Sequence, residues 1–439
     1  MMTMEHYGSV MDRLKSIRVP TGFIRNTLTL AGSTLVTQGI FFAASPILTR
    51  IYLPDDFGTL GVFSSILSLA LPVASWRYEY PITLPQDDEY AANVLGVAVL
   101  VLLMMTALAG GSLWFLGDSL VKSLHVSSKQ LYSCLLVGGL FGGGLFQALN
   151  FWAVRKKAFA QIARTKVTQG SMTAGTQILV GLLHAGPLGL ILGDVVGRVA
   201  GIRMLAQVLW QEKSKLAGSI TGTRLTEMAR SYKRFPLYSS GAAILNAAGL
   251  YSSPILMASL YGPQAAGYFS LALRLLSLPT LLVGQALGQA YWAEVSTMRH
   301  KADDLRRLFY RILRTSIVVG GAVIVPLVWF APTAIATLFG EQWRESGYYL
   351  QLLSLSFLGD FVSTPLSSTL TVLERQSWQL AWDACRLVFV VIAFAGLQYW
   401  GCSARTAALG YAVAQLTSYV IHLILAGIAI HIHVHQQSL

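Results

Sequence analysis

Charged side chains interrupt several apolar stretches of the sequence, and they are the groups that could bind an ion or an ionic substrate. Asp194 and Arg198 are four residues apart, and Asp383 and Arg386 are three apart. At these spacings both members of a pair lie on one face of a helix, where they can neutralise each other. Each pair is therefore open to two interpretations, an ion pair that fixes helix packing or part of a polar site.

Arg274 and Asp360 differ from these pairs, because no residue of opposite charge lies near either of them in the sequence. An ionisable group at the centre of a bilayer costs about 2.5–3.5 kcal/mol on insertion scales. Such groups face cavities or partners far more often than lipid, so the sequence favours a cavity for both residues. Asp194, Asp360 and Asp383 are also the acidic candidates for coupling to a proton or a sodium ion.

Amide side chains add polar positions to the same apolar stretches. Gln38 lies in the first half of the chain, and Asn246 lies at the matching position of the second half. Gln285 belongs to a further apolar stretch. Polar stripes of this kind either hold helices together or line a wet cavity. Their presence in both halves favours a polar cleft at the centre of the molecule, with these three amides among its candidate binding groups.

The composition indicates what surrounds these residues. The 439 residues are 54% hydrophobic and 12% charged, with a mean hydropathy of +0.56. Soluble domains carry about 25% charged residues, so a water-soluble fold is excluded, and the apolar content excludes a disordered chain. The sequence predicts an all-α multi-pass membrane protein with about twelve helices of some 20 residues each. The predicted spans are 27–48, 58–78, 91–115, 131–152, 168–184, 187–209, 238–260, 266–290, 312–338, 348–373, 380–400 and 405–431.

The distribution of Lys and Arg predicts the orientation. The net charge is +12, and most of the basic residues fall in loops on one side of the predicted membrane. This bias is typical of cytoplasmic loops, so both termini, including the tail 432–439, are expected in the cytoplasm. Residues 1–26 are polar and basic, which predicts an amphipathic segment on the inner membrane surface. Basic loops beside a membrane are explained by topology and anionic lipid, and nucleic acid is not an expected partner.

The chain repeats itself. Residues 45–58 read SPILTRIYLPDDFG, and residues 253–267 read SPILMASLYGPQAAG, so that Gly58 corresponds to Gly267. The two segments occupy the same place in the order of spans. The repeat predicts two six-helix lobes, 27–209 and 238–431, related by a pseudo-two-fold axis along the membrane normal. Residues 210–237 are then a basic cytoplasmic linker, and two facing lobes are the architecture of many alternating-access transporters.

Five longer stretches have a pattern that is typical of one family. The first half carries TRIYLPDDFG and WRYEYPITLPQDDEYAANVL. The second half carries FPLYSSGAAILN, AAGYFSLALRLLSLPTLLVGQALGQAYWAEVS and LFGEQWRESGYYLQLLSLSFLGDFVSTPLSSTLTVLERQ. They resemble polysaccharide flippases of the Wzx type, within the multidrug/oligosaccharidyl-lipid/polysaccharide exporter superfamily. The resemblance covers nearly the whole chain, contains no catalytic signature and implies a MATE-like fold.

The resemblance also implies a substrate and a location. The substrate would be a repeat unit of O-antigen, capsule or exopolysaccharide, linked through diphosphate to undecaprenol and moved to the periplasmic leaflet of a bacterial inner membrane. Arg77 and Arg274 are then the main candidates for the diphosphate, because Arg binds phosphate through two parallel hydrogen bonds. Glu79 either pairs with Arg77 or joins the acids that could couple an ion. The further candidates for the cavity are Arg198, Arg386, Gln38, Asn246 and Gln285.

Two other functions remain open at this point. A multidrug or cation antiporter of the same fold would have an acidic cavity without arginines, and the arginines above argue against it. A membrane glycosyltransferase or polymerase would need catalytic groups in sizeable loops, and the predicted loops are short. We therefore expect no enzymatic activity, cofactor or metal. The expected partners are the undecaprenyl-diphosphate-linked glycan and membrane lipid, with a polysaccharide polymerase and assembly proteins as candidates.

Overall fold

The structure, a computed structural model, describes residues 21–124, 129–212, 216, 218–298 and 302–438, and within these ranges it contains helices and turns but no strand. Most of the predicted segment 1–26 lies outside the described residues, and the first helix of the described part begins at Thr21. The helices of the first half are α1 (Thr21–Ile51), α2 (Pro54–Ala70), α3 (Asp88–Leu124), α4 (Lys129–Arg155), α5 (Phe159–Gly181), α6 (Pro187–Val199) and α7 (Ile202–Trp210). Those that follow are α8 (Gly222–Ser231), α9 (Ser240–Tyr261), α10 (Pro263–Pro279), α11 (Gln285–Met298), α12 (Ala302–Phe339), α13 (Arg344–Leu366), α14 (Thr369–Val372), α15 (Gln376–Tyr399) and α16 (Ala404–Ser438).

Eight helical segments in the described part of the chain are long and apolar enough to cross a membrane. They are Thr29–Ile51, Pro54–Val73, Asp88–Phe115, Lys129–Arg155, Phe235–Tyr261, Asp303–Phe339, Gln376–Tyr399 and Ala404–His435. The other predicted spans coincide with α5, with α6 and α7, with α10 and α11, and with α13. These helices carry more of the polar and charged residues, which lowers their hydropathy. The all-α class is confirmed for the described residues, and the count of twelve spans stays a prediction.

Two of the predicted spans are interrupted helices. Gly201 separates α6 from α7 with a φ of +79°, a left-handed conformation that glycine adopts without steric cost. In the second half, α10 ends at Pro279 and is followed by one π-helical turn, Thr280–Gly284, before α11 begins. A proline inside a helix lacks the amide hydrogen for the regular bond, and π turns interrupt helices at such places.

The two halves meet at one end of the molecule, which we call the sealed end. It carries the connections between α1 and α2, between α9 and α10, and between α12 and α13. The indole Nε1 of Trp343 donates a hydrogen bond of 2.8 Å to the carbonyl oxygen of Thr49, and the amide of Gln342 donates one of 2.9 Å to the same oxygen. Trp343 is fully buried, and its ring contacts Phe57 with 4.9 Å between the ring centroids. A single apolar core therefore joins both halves at this end.

Within the sealed end, α2 and α10 cross at two glycines. A Cβ on Gly58 would overlap the carbonyl oxygen of Pro263, and a Cβ on Gly267 would overlap the carbonyl oxygen of Pro54. The two contacts are reciprocal, because Gly58 and Pro54 stand in the first copy of the repeat where Gly267 and Pro263 stand in the second. Only glycine allows the backbones to approach so closely. The internal repeat thus meets itself across a local two-fold relation.

At the opposite end, which we call the open end, each half has a core of its own. One buried cluster contains Ile82 and Trp152 of the first half together with Met228 of the region predicted as a linker. A separate cluster belongs to the second half and contains Tyr291 and Phe309. Helix α8 lies against the first half, where Arg224 forms an ion pair of 2.9 Å with Glu89. The hydroxyl of Tyr78 also donates a hydrogen bond of 3.0 Å to the carbonyl oxygen of Ala229.

Candidate functional site

A polar cavity of about 660 Å³ begins one helical turn from the sealed end. Its walls come from α1, α2, α4, α5 and α6 of the first half and from α10 of the second half. Leu60 lines the cavity and also belongs to the core of the sealed end. Hydroxyl and amide groups cover much of the wall, from Thr34, Thr37, Gln38, Ser64, Gln147, Gln169, Thr173, Gln177 and Ser277. Gln38 is therefore located at the predicted cleft.

Three cationic side chains line this cavity, Lys166, Arg198 and Arg274. Among the described lining residues, one carries a carboxylate, Asp194. Arg198 donates from Nε to Asp194 Oδ2 over 2.8 Å, so these two charges neutralise each other. The ammonium of Lys166 lies 3.5 Å from the hydroxyl oxygen of Thr34. The cavity consequently has an excess of positive charge and an abundance of uncharged hydrogen-bonding groups.

Arg274 lies at the border between the two halves. Its guanidinium carbon is 5.0 Å from the centroid of the Phe41 ring, a cation–π contact with α1. Within the described residues, the guanidinium forms neither an ion pair nor a hydrogen bond. Arg274 and Ser277 line a second cavity as well, of about 350 Å³, whose other walls come from α9, α13 and α16. A ligand that contacts Arg274 could thus reach both halves.

Asp360 lies in this second cavity, among Tyr411, Gln415 and Tyr419. One of its carboxylate oxygens accepts a hydrogen bond of 3.3 Å from the hydroxyl of Thr364. In the part of the chain that the structure describes, no cation lies within ion-pair distance of Asp360. The structure therefore places Arg274 and Asp360 in the lining of the same cavity, although they come from different helices.

The pair Asp383 and Arg386 is located elsewhere, in the contact between α15 and α9. Both residues are about 3% exposed, and Arg386 Nη2 lies 3.1 Å from Asp383 Oδ1. The same nitrogen donates a hydrogen bond of 3.1 Å to the carbonyl oxygen of Asn246, and the guanidinium lies 4.6 Å from the Trp382 ring centroid. Neither member of the pair is among the described lining residues of the two cavities. The packing interpretation fits this pair, and Arg386 and Asn246 stay predictions as substrate-binding residues.

Arg77 and Glu79 lie beyond the end of α2, at the open end. Arg77 has a φ of +64°, which places it in a tight turn. Its Nη1 donates a hydrogen bond of 2.8 Å to the hydroxyl of Tyr80 and lies 3.9 Å from Glu79 Oε1. Glu79 is buried and accepts a hydrogen bond from Ser75. Both remain candidates for the entrance of a substrate path, but the structure does not bring them together with Arg274.

The comparison with known protein families decides the family. Residues 47–347 match the family described as polysaccharide biosynthesis protein. The chain belongs to this family. The succinoglycan biosynthesis transport protein ExoT of Rhizobium meliloti (strain 1021) is 25% identical over 346 residues, which are 77% of this chain and 66% of ExoT. The chain thus spans just under two thirds of that relative.

Two solved structures share the fold of this polysaccharide biosynthesis protein. One is a multidrug resistance MATE family transporter of the MOP superfamily in an inward-facing conformation, with a TM-score of 0.69 and 16% identity over 90% of this chain and 95% of that one. The other is the lipid II flippase MurJ in an inward closed conformation, with a TM-score of 0.68 and 14% identity over 92% and 87% of the two chains. The predicted MATE-like fold and the multi-pass membrane class are confirmed.

One cationic residue of the cavity was not among the predicted site residues. Lys166 was assigned to a cytoplasmic loop, because the predicted span began at 168. Helix α5 begins at Phe159, and Lys166 is therefore two turns inside it. The signal that could have identified it is the polar stripe of the same helix, since Gln169 and Thr173 follow Lys166 at helical spacing. The side chain of Gln285 lies outside the described part of the structure.

Proposed function

We propose that this protein is a flippase that moves a polyprenyl-diphosphate-linked oligosaccharide from the cytoplasmic to the periplasmic leaflet by alternating access. The observation that carries the proposal is the cationic cavity next to the sealed end, where three cationic side chains, Lys166, Arg198 and Arg274, outnumber the one carboxylate of the described lining, Asp194. A carrier of this kind needs no cofactor and performs no covalent chemistry. Its partner is the lipid-linked glycan, in the inner membrane of a bacterium.

The chemistry of the cavity matches the parts of such a substrate. A diphosphate needs cations that are not already neutralised, and Arg274 offers a guanidinium with a planar set of donors for phosphate oxygens. Lys166 adds a second cation that is hydrogen-bonded only weakly, to Thr34. Sugar hydroxyls would bind to amides and hydroxyls such as those of Gln38 and Gln147. The prenyl chain would stay in the lipid beside the cavity.

The sign of the charge favours this function over the export of cationic drugs. A cavity with uncompensated positive charge repels a cation and concentrates an anion. The competing antiporter interpretation required an acidic cavity without arginines. Within the described lining of the 660 Å³ cavity, cations outnumber acids. Asp360, in the adjoining second cavity, remains our candidate for coupling to a proton or a sodium ion.

Alternating access would use the two halves as rigid lobes, 27–209 and 238–431, joined by the linker 210–237. The sealed end would open when Trp343 and Gln342 leave the carbonyl oxygen of Thr49 and the open end closes. We place the sealed end in the periplasm, because the basic loops lie at the open end and such loops are typically cytoplasmic. Both termini would then lie in the cytoplasm.

The proposal predicts the phenotype of a strain that lacks this protein. Surface polysaccharide should fall to background, and the lipid-linked repeat unit should accumulate on the cytoplasmic leaflet, because synthesis continues while transfer stops. The measurement is the amount of polymer and of extracted lipid-linked oligosaccharide, with the wild-type gene restored as the control. Normal polymer in a strain that has no second flippase would contradict the proposal.

Lys166 provides a test of the cavity with a matched control on the same helix. Lys166→Gln should lower transport about tenfold, because one charge-assisted hydrogen bond to phosphate contributes about 1.5 kcal/mol. Arg164→Gln removes the same charge two residues away on α5, where the side chain is exposed, and should leave transport within twofold of the wild type. Polymer recovery in the deletion strain measures both variants at equal protein level. Equal losses in the two variants would remove Lys166 from the site.

A further inference from the structure

Another basic cavity lies at the open end, apart from both cavities described above. It has a volume of about 830 Å³ and is formed by the first turns of α12 and the last turns of α16. We call it the arginine groove. Four of its lining residues are arginines of α12, and the others include Tyr310 and His431. The four arginines are Arg306, Arg307, Arg311 and Arg314.

The charges in the arginine groove are largely uncompensated. Arg307 forms an ion pair of 2.8 Å with Asp304. For Arg306, Arg311 and Arg314, the described part of the chain provides neither an ion pair nor a hydrogen bond, and all three side chains are exposed. Arg307, Arg311 and Arg314 follow one another at intervals of four and three residues, so they lie along one face of α12. Like charges held together in this way favour the binding of an anion.

The groove lies where a helix leaves the membrane. Helix α12 contains 38 residues and is therefore about 57 Å long at 1.5 Å per residue, whereas the hydrocarbon core of a bilayer is about 30 Å thick. The residues directly after the arginines face outward with apolar side chains, since Ile317 is 47% exposed and Val318 is 71% exposed. Because about 20 residues cross the hydrocarbon core, we expect the arginines in the first turns of α12 at the level of the lipid headgroups.

The wall of the groove combines this charge with apolar surface. Phe309, Gly427 and Ile430 line it together with the arginines. Phe309 and Ile430 are each about 2% exposed, whereas the neighbouring Ile428 of α16 is 44% exposed. Gly427 leaves space beside α16, because a Cβ at this position would have no atom within 4 Å. A ligand can therefore place an anionic group against the arginines and an apolar group against α16 and the adjoining lipid. A soluble anion would use only the first of these features.

We propose that the arginine groove binds the headgroup of an anionic phospholipid from the leaflet at the open end. A lipid with two phosphates, such as cardiolipin, is the best match for three free guanidinium groups, because each phosphate can accept two parallel hydrogen bonds from one arginine. Basic pockets between helices at this depth are suited to such headgroups. The inference is independent of the substrate that crosses the membrane, since no residue of the central cavity takes part.

The test measures the lipid that remains bound to the full-length purified protein. The groove variant removes the three free charges and is Arg306→Gln/Arg311→Gln/Arg314→Gln. The matched control removes three exposed charges of the linker and is Arg230→Gln/Lys233→Gln/Arg234→Gln. Each basic residue near a membrane surface contributes about a fivefold gain in affinity for anionic lipid. We therefore expect about 100-fold weaker retention of cardiolipin in the groove variant and less than twofold change in the control. Native mass spectrometry after titration from mixed micelles measures the retained lipid.

Two further arms decide between the possible outcomes. The variant Arg306→Lys/Arg311→Lys/Arg314→Lys keeps the charge and should retain most of the lipid, which separates the loss of a ligand from the loss of the fold. Inorganic pyrophosphate carries comparable charge without acyl chains and should displace cardiolipin only at concentrations far above those of the lipid. Efficient displacement by pyrophosphate would identify a soluble phosphate compound as the ligand and overturn the lipid assignment. Equal retention by the wild type and the groove variant would overturn the site itself.

Discussion

Arg274→Gln should lower the transfer of lipid-linked oligosaccharide about 100-fold. Arg274 is the cavity guanidinium that has no ion pair among the described residues, and it borders the cavities of both halves. Two charge-assisted hydrogen bonds to a diphosphate contribute about 3 kcal/mol together, which corresponds to this factor. The measurement is the rate at which a labelled substrate reaches the opposite leaflet of proteoliposomes.

Two controls accompany this variant. Arg274→Lys keeps the charge but loses the planar pair of donors, so its rate should lie between those of the wild type and Arg274→Gln. Arg203→Gln removes an arginine of α7 that is exposed and outside the described cavity lining, and it should transport normally. If Arg274→Gln and Arg203→Gln moved substrate at the same rate, the diphosphate would bind elsewhere.

Gly58→Val should also reduce transfer by about 100-fold, for a conformational reason. A side chain at this position overlaps the backbone carbonyl of Pro263, which cannot move aside as a flexible side chain could. Overpacking of this kind costs about 3 kcal/mol. The cost falls on the conformation with the sealed end closed, because the cores at the open end lie within the separate halves. The protein should therefore fold and insert, but should rest with the sealed end open.

A cysteine placed in the cavity can report this change of access. Ser277 is exposed and lines both cavities, so Ser277→Cys in a cysteine-free background should react with a membrane-impermeant maleimide added at the open end. In the Gly58→Val background the reaction should move to the other side of the membrane. Gly138→Val is the control, because a Cβ there would meet no atom within 4 Å. Unchanged labelling in Gly58→Val would show that α2 and α10 can separate without breaking the seal.

Much of the fold could be predicted because each span is set by a local property, a run of apolar residues. The interruptions could not be predicted in this way. Gly201 lies within the predicted span 187–209, yet α6 ends at Val199 and Gly201 has a left-handed conformation where α7 begins. The π turn after Pro279 depends on how α10 packs in the finished structure. Hydropathy averages over such positions and does not record the conformation of a single residue.

The site was predicted in part, and the errors have a common cause. Sequence spacing could identify Asp194 with Arg198 and Asp383 with Arg386 as pairs, but it could not tell which pair lines a cavity, since that depends on the neighbouring helix. Lys166 was missed because a cation was taken as the boundary of a span. A charged residue in a membrane sequence can mark the end of a span or line a cavity within it. Only the packing of the helices distinguishes the two cases.

The reciprocal glycine contact bears on the evolutionary history of the chain. Before the repeat was joined in one polypeptide, the surface around Gly58 and Pro54 would have been self-complementary, as in an isologous dimer of identical subunits. The sealed end would then be the remnant of a dimer interface, kept after fusion. If so, separately expressed halves should assemble through this contact, and replacement of either glycine by a larger residue should prevent their association.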